Sequence, residues 1–198
     1  MEYKKLDTED YEKIAKFTAI GMELGVYFKS DKETLDYARF MLYHEILASS
    51  SYLALYDNGE LVGVLFYDVL KDPKLKLSPA MQKYHDDFYQ KSLKENPDDF
   101  TLYPNTVKEL RERNNLDEGV EITHFVVDPS KLRSGIGSII YDEFEKKFKG
   151  KKVFLFTDKY CKYTFYEKKG FKKIDEKTIM FYNDGEVPES VLLYVKKL

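Results

Sequence analysis

The sequence has little cysteine and no tryptophan: its 198 residues include one cysteine, Cys161. A single cysteine excludes an internal disulfide and a cysteine-rich metal site. Lysine and arginine number 32 against 35 aspartate and glutamate residues, which gives a formal charge of −3. Because the chain has no net positive field, we do not expect nucleic acid to be its main partner.

Long apolar runs are also missing. No stretch approaches the roughly 18 apolar residues that a membrane-spanning helix needs, and the mean hydropathy is −0.53. The N-terminal segment MEYKKLDTED lacks the apolar core of a signal peptide. These features predict a cytoplasmic protein that does not enter a membrane.

Apolar residues nevertheless make up 43% of the chain, and 17 tyrosines and 14 phenylalanines provide bulky core material. The length predicts one domain over residues 1–198. A short strand and two helices are expected in the first 50 residues, with Asp31 as the cap of the second helix. Asn58-Gly59 between two apolar runs predicts a β-hairpin, because both residues accept positive φ.

A polar, proline-containing segment at about 71–118 is too long for a plain loop. It predicts a helical insert between the third and fourth strands, with helical fragments around 79–94 and 105–114. Two interpretations of this insert stay open. It is either a lid that shapes the acceptor pocket, or else a helical addition to the surface or a homodimer contact.

The most informative segment begins with the apolar run Val120–Val127, which predicts a strand ended by Pro129. The turn Gly135-Ile-Gly137 and an amphipathic helix follow. Glycines let a ligand approach the backbone, and the free amides at a helix start bind anions, so this turn suits a phosphate or pyrophosphate. Taken alone, the same pattern is also typical of an ordinary strand-to-helix turn.

A second motif, Phe165-Tyr-Glu-Lys-Lys-Gly-Phe171, follows a further helix and strand. Together with Val127-x-Pro129 and the glycine turn, it resembles the acetyl-CoA-binding core of the GNAT acetyltransferase superfamily. The likeness covers about 120–175 in motif detail and the flanking regions by element order. It implies a mixed α/β fold: a central, mostly antiparallel sheet of six to seven strands, flanked by helices.

The resemblance implies an acyl-CoA-dependent N-acetyltransferase, which moves an acetyl group directly from acetyl-CoA to a small-molecule or peptide amine. It implies that the glycine-turn amides bind the pyrophosphate of coenzyme A. It also implies that the edge of the strand ending at Val127 pairs with the pantetheine arm. The cofactor-binding residues expected on this basis are Phe125, Val126, Val127, Arg133, Ser134, Gly135, Ile136, Gly137 and Ser138.

Tyr166 falls where the family usually has its general acid, and a phenol with a pKa near roughly 10 can protonate a coenzyme thiolate. Glu121 and His124 are the candidates for the base. Being three residues apart, they face opposite sides of a regular strand, so a bulge is needed for both to point at the site. We expect Glu121 to be the base and His124 to be a hydrogen-bonded histidine packed beside a helix. No metal is expected.

The chain departs from the family pattern at one position of the turn. Three residues before the first glycine the family usually has glutamine or arginine, and here the residue is Leu132. This departure favours an alternative function, a non-catalytic acyl-CoA-binding or protein-interaction module with a degenerate GNAT fold.

Overall fold

The computed structural model describes residues 1–181 and 187–198. Within them, seven strands form one sheet in the order β1-β2-β3-β4-β5-β7-β6. The strands are β1 (Glu2–Tyr3), β2 (Ser51–Asp57), β3 (Glu60–Val69), β4 (Val120–Val127), β5 (Lys152–Thr157), β6 (Lys172–Phe181) and β7 (Val187–Lys197). All neighbouring pairs are antiparallel except β4 and β5, which are parallel. The predicted mostly antiparallel sheet is therefore confirmed.

The same residues contain six α-helices. They are α1 (Asp10–Gly21), α2 (Asp31–Ala48), α3 (Pro79–Glu95), α4 (Pro97–Arg113), α5 (Ile136–Lys147) and α6 (Thr164–Lys168). Helix α5 packs one face of the sheet, where Ile140 and Phe144 are fully buried. Helices α1 and α2 pack the opposite face through Ile14 and Leu42. Burying such side chains contributes roughly 1.5–3 kcal/mol each before the entropic cost of ordering the chain.

The β2–β3 hairpin is confirmed. Asn58 has φ 51° and Gly59 has φ 84°, so both adopt the left-handed conformation that a two-residue hairpin turn requires. Asp57 and Glu60 are the last paired residues on either side.

The helical insert between β3 and β4 is also confirmed, but its second helix begins earlier than predicted. Helix α4 begins at Pro97 and continues through Pro104, where the predicted fragment began at 105. Proline is well suited to a first helical turn, which favours the start at Pro97. Leu110 and neighbouring apolar residues of α4 pack on Ile179 of β6 and Val191 of β7, and this packing holds the helix together despite Pro104.

The insert also contacts α2 through α3. The rings of Phe40 and Phe88 stack with centroids 4.7 Å apart, and His44 Nδ1 lies 3.3 Å from His85 Nε2. The insert therefore packs on α2 at one end and on the β6–β7 half of the sheet at the other.

One helix cap differs from the prediction. The cap of α2 is Ser30, whose side chain accepts a hydrogen bond from the Glu33 amide, and Asp31 is the first helical residue. Both residue types are good caps, so the sequence alone did not separate them.

Candidate active site

The sheet opens between β4 and β5. These strands pair only at Val120 with Val153 and at Glu121 with Phe154. After Glu121 the β5-facing edge of β4 has no partner strand in the described residues, whereas its other edge pairs with β3 as far as Val127. The peptide groups of this open edge are free to pair with an extended ligand.

The glycine turn lies directly after this edge. Arg133 and Gly135 both have positive φ, 66° and 87°. Within the described part of the chain, five amides of the turn have no hydrogen-bond acceptor: those of Arg133, Gly135, Ile136, Gly137 and Ser138. They surround the N-terminal end of α5, where the helix dipole favours an anion. The Ser134 amide instead donates to the Lys131 carbonyl.

The surroundings of the turn leave room for a ligand. A Cβ placed on Gly135 would meet no atom within 4 Å, and one placed on Gly137 would lie 3.7 Å from the Phe165 ring. Phe165 of α6 also contacts Phe125 of β4, with ring centroids 5.7 Å apart. The end of β4, the turn and α6 therefore form one continuous wall, and it contains the predicted cofactor-binding residues.

Tyr166 is the next residue of α6. Its ring contacts those of Phe165 and Phe171 at centroid distances of 5.5 and 5.7 Å. Burial raises the pKa of its hydroxyl, and the nearby Cys161 and Tyr141 raise the pKa further. Tyr166 is thus protonated at neutral pH, as a proton donor must be.

A bulge in β4 changes the expected alternation of side chains. Phe66 pairs with His124 but Tyr67 pairs with Ile122, which leaves Thr123 as the extra residue. The bulge brings Glu121 and His124 to the same side of the sheet, the side covered by α1 and α2.

His124 is packed as expected of a structural histidine. It is 2% exposed, and its Nε2 lies 2.9 Å from Thr18 Oγ1 of α1. Thr18 Oγ1 also lies 2.9 Å from the Ile14 carbonyl oxygen. Burial lowers the pKa of His124 to about 4, so the ring is neutral.

Glu121 is largely buried and has a partner that the sequence analysis did not identify. Arg111 of α4 donates to Glu121 Oε2 over 2.7 Å. Burial raises the pKa of Glu121, while Arg111 opposes that shift. No local signal marks an arginine of the insert as a partner of a residue in the central strand, because the contact depends on how α4 packs.

Glu45 of α2 is a second carboxylate that sequence reasoning missed. Its side chain is half-buried and makes no hydrogen bond to the described residues. Burial, with the Glu121 charge adding to it, raises the pKa of Glu45 to about 8. The carboxyl group of Glu45, on α2, therefore lies within electrostatic range of Glu121, on β4.

We expect Glu45→Gln to raise the free energy of unfolding by on the order of 2 kcal/mol at pH 8.5. The folded pKa of about 8 exceeds the ordinary value of 4.5. Between these two values the unfolded chain loses the proton that the folded chain keeps, so wild-type stability falls as pH rises. Urea unfolding at pH 5 and 8.5 tests this, with the exposed Glu112→Gln as control. If the free energy of unfolding depended on pH in the same way for wild type and Glu45→Gln, the prediction would be wrong.

The surroundings of the lone cysteine do not favour a nucleophilic thiolate. Cys161 Sγ lies 3.3 Å from Asp158 Oδ2, and burial together with this carboxylate raises the thiol pKa to about 12. Over residues 1–181 and 187–198, no three His, Cys, Asp or Glu side chains group closely enough to hold a metal ion. No helix in the described ranges is long and apolar enough to cross a membrane.

Comparisons by sequence find no counterpart: no protein-family model and no curated protein matches this chain. Solved structures do match. PH1933 from Pyrococcus horikoshii OT3 has a TM-score of 0.60 at 19% identity, with 98% of this chain and 94% of that chain covered.

Two further solved structures are N-acetyltransferases. The PaiA N-acetyltransferase from Thermoplasma acidophilum, in complex with coenzyme A, has a TM-score of 0.54 at 14% identity and covers 100% of this chain and 98% of that one. A GCN5-related N-acetyltransferase from Rhodopseudomonas palustris has a TM-score of 0.53 at 14% identity, covering 100% and 95%. The strand order and these matches confirm the resemblance at the level of the fold: the chain has the fold of the GNAT superfamily of N-acetyltransferases.

Proposed function

We propose that this protein is an acetyl-CoA-dependent N-acetyltransferase. The observation that carries the proposal is the open edge of β4, which leads directly into a turn where five amides have no acceptor among the described residues. The open strand edge suits an extended arm that contains amides, and the adjoining turn suits a pyrophosphate. A ligand with both parts in this order matches the site. The coenzyme A complex of the PaiA N-acetyltransferase supports the same ligand.

Acetyl-CoA supplies the activated acetyl group. In the proposed reaction the turn from Arg133 to Ser138 binds the pyrophosphate, and the β4 edge at Phe125 to Val127 orients the pantetheine arm. Glu121 accepts a proton from the acceptor amine, directly or through water, so that the neutral amine can attack. As the C–N bond forms and the C–S bond breaks, Tyr166 Oη protonates the leaving sulfur, and the resulting tyrosinate takes up the proton that the acetylated nitrogen releases. The raised pKa of Tyr166 keeps its hydroxyl protonated until that step.

The insert is proposed to form the acceptor side of this site and to belong to the same domain. Its helix α4 reaches Glu121 through Arg111 and packs on β6 and β7 through Leu110. One cooperative thermal transition, seen alike by far-UV circular dichroism and tyrosine fluorescence, is expected. Separate transitions would show that the insert folds by itself.

One observation favours the second candidate, a binding module without turnover. Leu132, at the position where the family usually has a polar residue, is 43% exposed and provides no hydrogen-bond donor from its side chain. In that case the protein would bind acetyl-CoA through main-chain amides alone and would not transfer the acetyl group to an amine.

Calorimetric titration with acetyl-CoA and with free coenzyme A tests the ligand shared by both candidates. We expect a dissociation constant on the order of micromolar for each. Absence of heat with either ligand, confirmed by an unchanged melting temperature, would contradict the cofactor site itself.

A further inference from the structure

Arg111 lies across the point at which the sheet opens. Glu121 and Phe154 form the last pair between β4 and β5, and Arg111 contacts both. Its Nη2 is 2.7 Å from Glu121 Oε2. The centre of its guanidinium lies 5.3 Å from the Phe154 ring centroid and 5.4 Å from that of Phe156. An arginine from the insert therefore bridges the two diverging strands.

The other charges around Glu121 are mostly negative. Asp68 lies opposite Glu121 on β3, and Glu45 of α2 is near enough for the Glu121 charge to raise its pKa. Lys74, after β3, is ion-paired with Asp68. Asp68 Oδ1 is buried without a hydrogen-bond partner in the described residues. Arg111 therefore contacts Glu121 directly in surroundings that also contain the carboxyl groups of Asp68 and Glu45.

We propose that Arg111 is a positioning residue for acetyl transfer, which holds the Glu121 carboxylate beside the open β4 edge in its charged, proton-accepting form. This inference rests on the proposed function, in which Glu121 is the base. It gives the insert a part in the chemistry as well as in shaping the acceptor site.

The contact geometry fits this role. An arginine guanidinium supplies a constant positive charge and a planar set of donors for a carboxylate. Cation–π contacts with the rings of Phe154 and Phe156 restrain the guanidinium. Arg111 engages Oε2 of Glu121, and Oε1 receives no hydrogen bond from the described residues. The second oxygen therefore stays available for the proton of the acceptor amine.

The test is Arg111→Met, which keeps much of the side-chain volume but removes the charge, with Arg111→Lys as the conservative variant. Arg113→Met is the matched control, because Arg113 lies on the same helix, is 48% exposed and pairs with Asp175 away from the site. Carbon-13 NMR titration of the glutamate carboxyl groups follows Glu121, whose signal is assigned by its loss in Glu121→Gln.

We expect the Glu121 midpoint to rise by at least one pH unit in Arg111→Met, to be partly restored in Arg111→Lys and to stay unchanged in Arg113→Met. If Arg111→Met does not fold, Arg111→Lys alone is titrated. We then expect its Glu121 midpoint to rise by less than the one pH unit expected for Arg111→Met. An unmoved Glu121 midpoint in the folded Arg111 variants would overturn the inference.

Enzyme kinetics separates this inference from the proposed function. A higher Glu121 midpoint moves the acid limb of the kcat/KM profile to higher pH, because the base must be deprotonated. We expect this limb to shift by at least one unit in Arg111→Met. A wild-type protein that acetylates no amine contradicts the proposed function, whereas an active protein whose acid limb does not move in Arg111→Met contradicts only the role of Arg111.

Discussion

Tyr166→Phe is expected to lower kcat for acetyl transfer by roughly 100-fold, the usual size of a general-acid contribution, without changing the affinity for acetyl-CoA. The substitution removes the hydroxyl and keeps the ring that packs on Phe165 and Phe171. The main-chain groups proposed to bind the cofactor, on the β4 edge and in the glycine turn, stay intact. A lower kcat with an unchanged dissociation constant identifies loss of a group that acts in the transition state.

Tyr163→Phe is the matched control for this prediction. Tyr163 lies one turn earlier, and its ring contacts that of Tyr194 with centroids 6.4 Å apart. The control variant is expected to keep its activity. Equal activities of wild type and Tyr166→Phe would show that Tyr166 is another packed tyrosine and that the proton comes from elsewhere.

Gly135→Glu is expected to weaken acetyl-CoA binding by 100-fold or more, on the order of 3 kcal/mol. The new carboxylate would lie at the turn whose unpaired amides are proposed to hold the pyrophosphate, so it competes with the ligand and repels it. Gly135 has φ 87°, so the variant also loses about 1 kcal/mol of stability to backbone strain.

Gly150→Glu separates the two effects. Gly150 has φ 84°, and an added Cβ meets no atom within 4 Å at either glycine. Gly150 follows the far end of α5, so Gly150→Glu should lose similar stability and keep its affinity in calorimetry. Equal affinities of Gly135→Glu and Gly150→Glu would remove the glycine turn from the cofactor site.

The parts of the fold that were predicted correctly depend on signals between near neighbours in the chain. Asn58-Gly59 specifies a hairpin by its backbone preferences. Strand β4, the glycine turn and α5 follow one another with a clear change of hydrophobic period. The predicted start of α4 and the predicted cap of α2 were wrong because a local signal was ambiguous or was outweighed by packing. Pro104 argued against a helix that packing on β6 and β7 nevertheless keeps.

The candidate site was only partly predictable for a related reason. The wall formed by β4, the turn and α6 is nearly continuous in sequence, so a motif can describe it. Arg111 of α4 contacts Glu121, and Glu45 of α2 comes within electrostatic range of it. Both relations exist only after the helices pack. The bulge at Thr123, which moves His124 to the same side as Glu121, has no sequence signal of its own.

The most direct test of the proposed function is acetyl transfer itself. The protein is mixed with carbon-13 acetyl-labelled acetyl-CoA and, in turn, a diamine, an amino sugar, a lysine peptide and a peptide with a free N-terminus. Thiol release and the mass of each amine are then measured. We predict amine-dependent thiol release with one labelled acetyl group on the amine, strongly reduced in Tyr166→Phe. Tight binding of acetyl-CoA with no amine-dependent thiol release for any acceptor would contradict the account and favour a binding module.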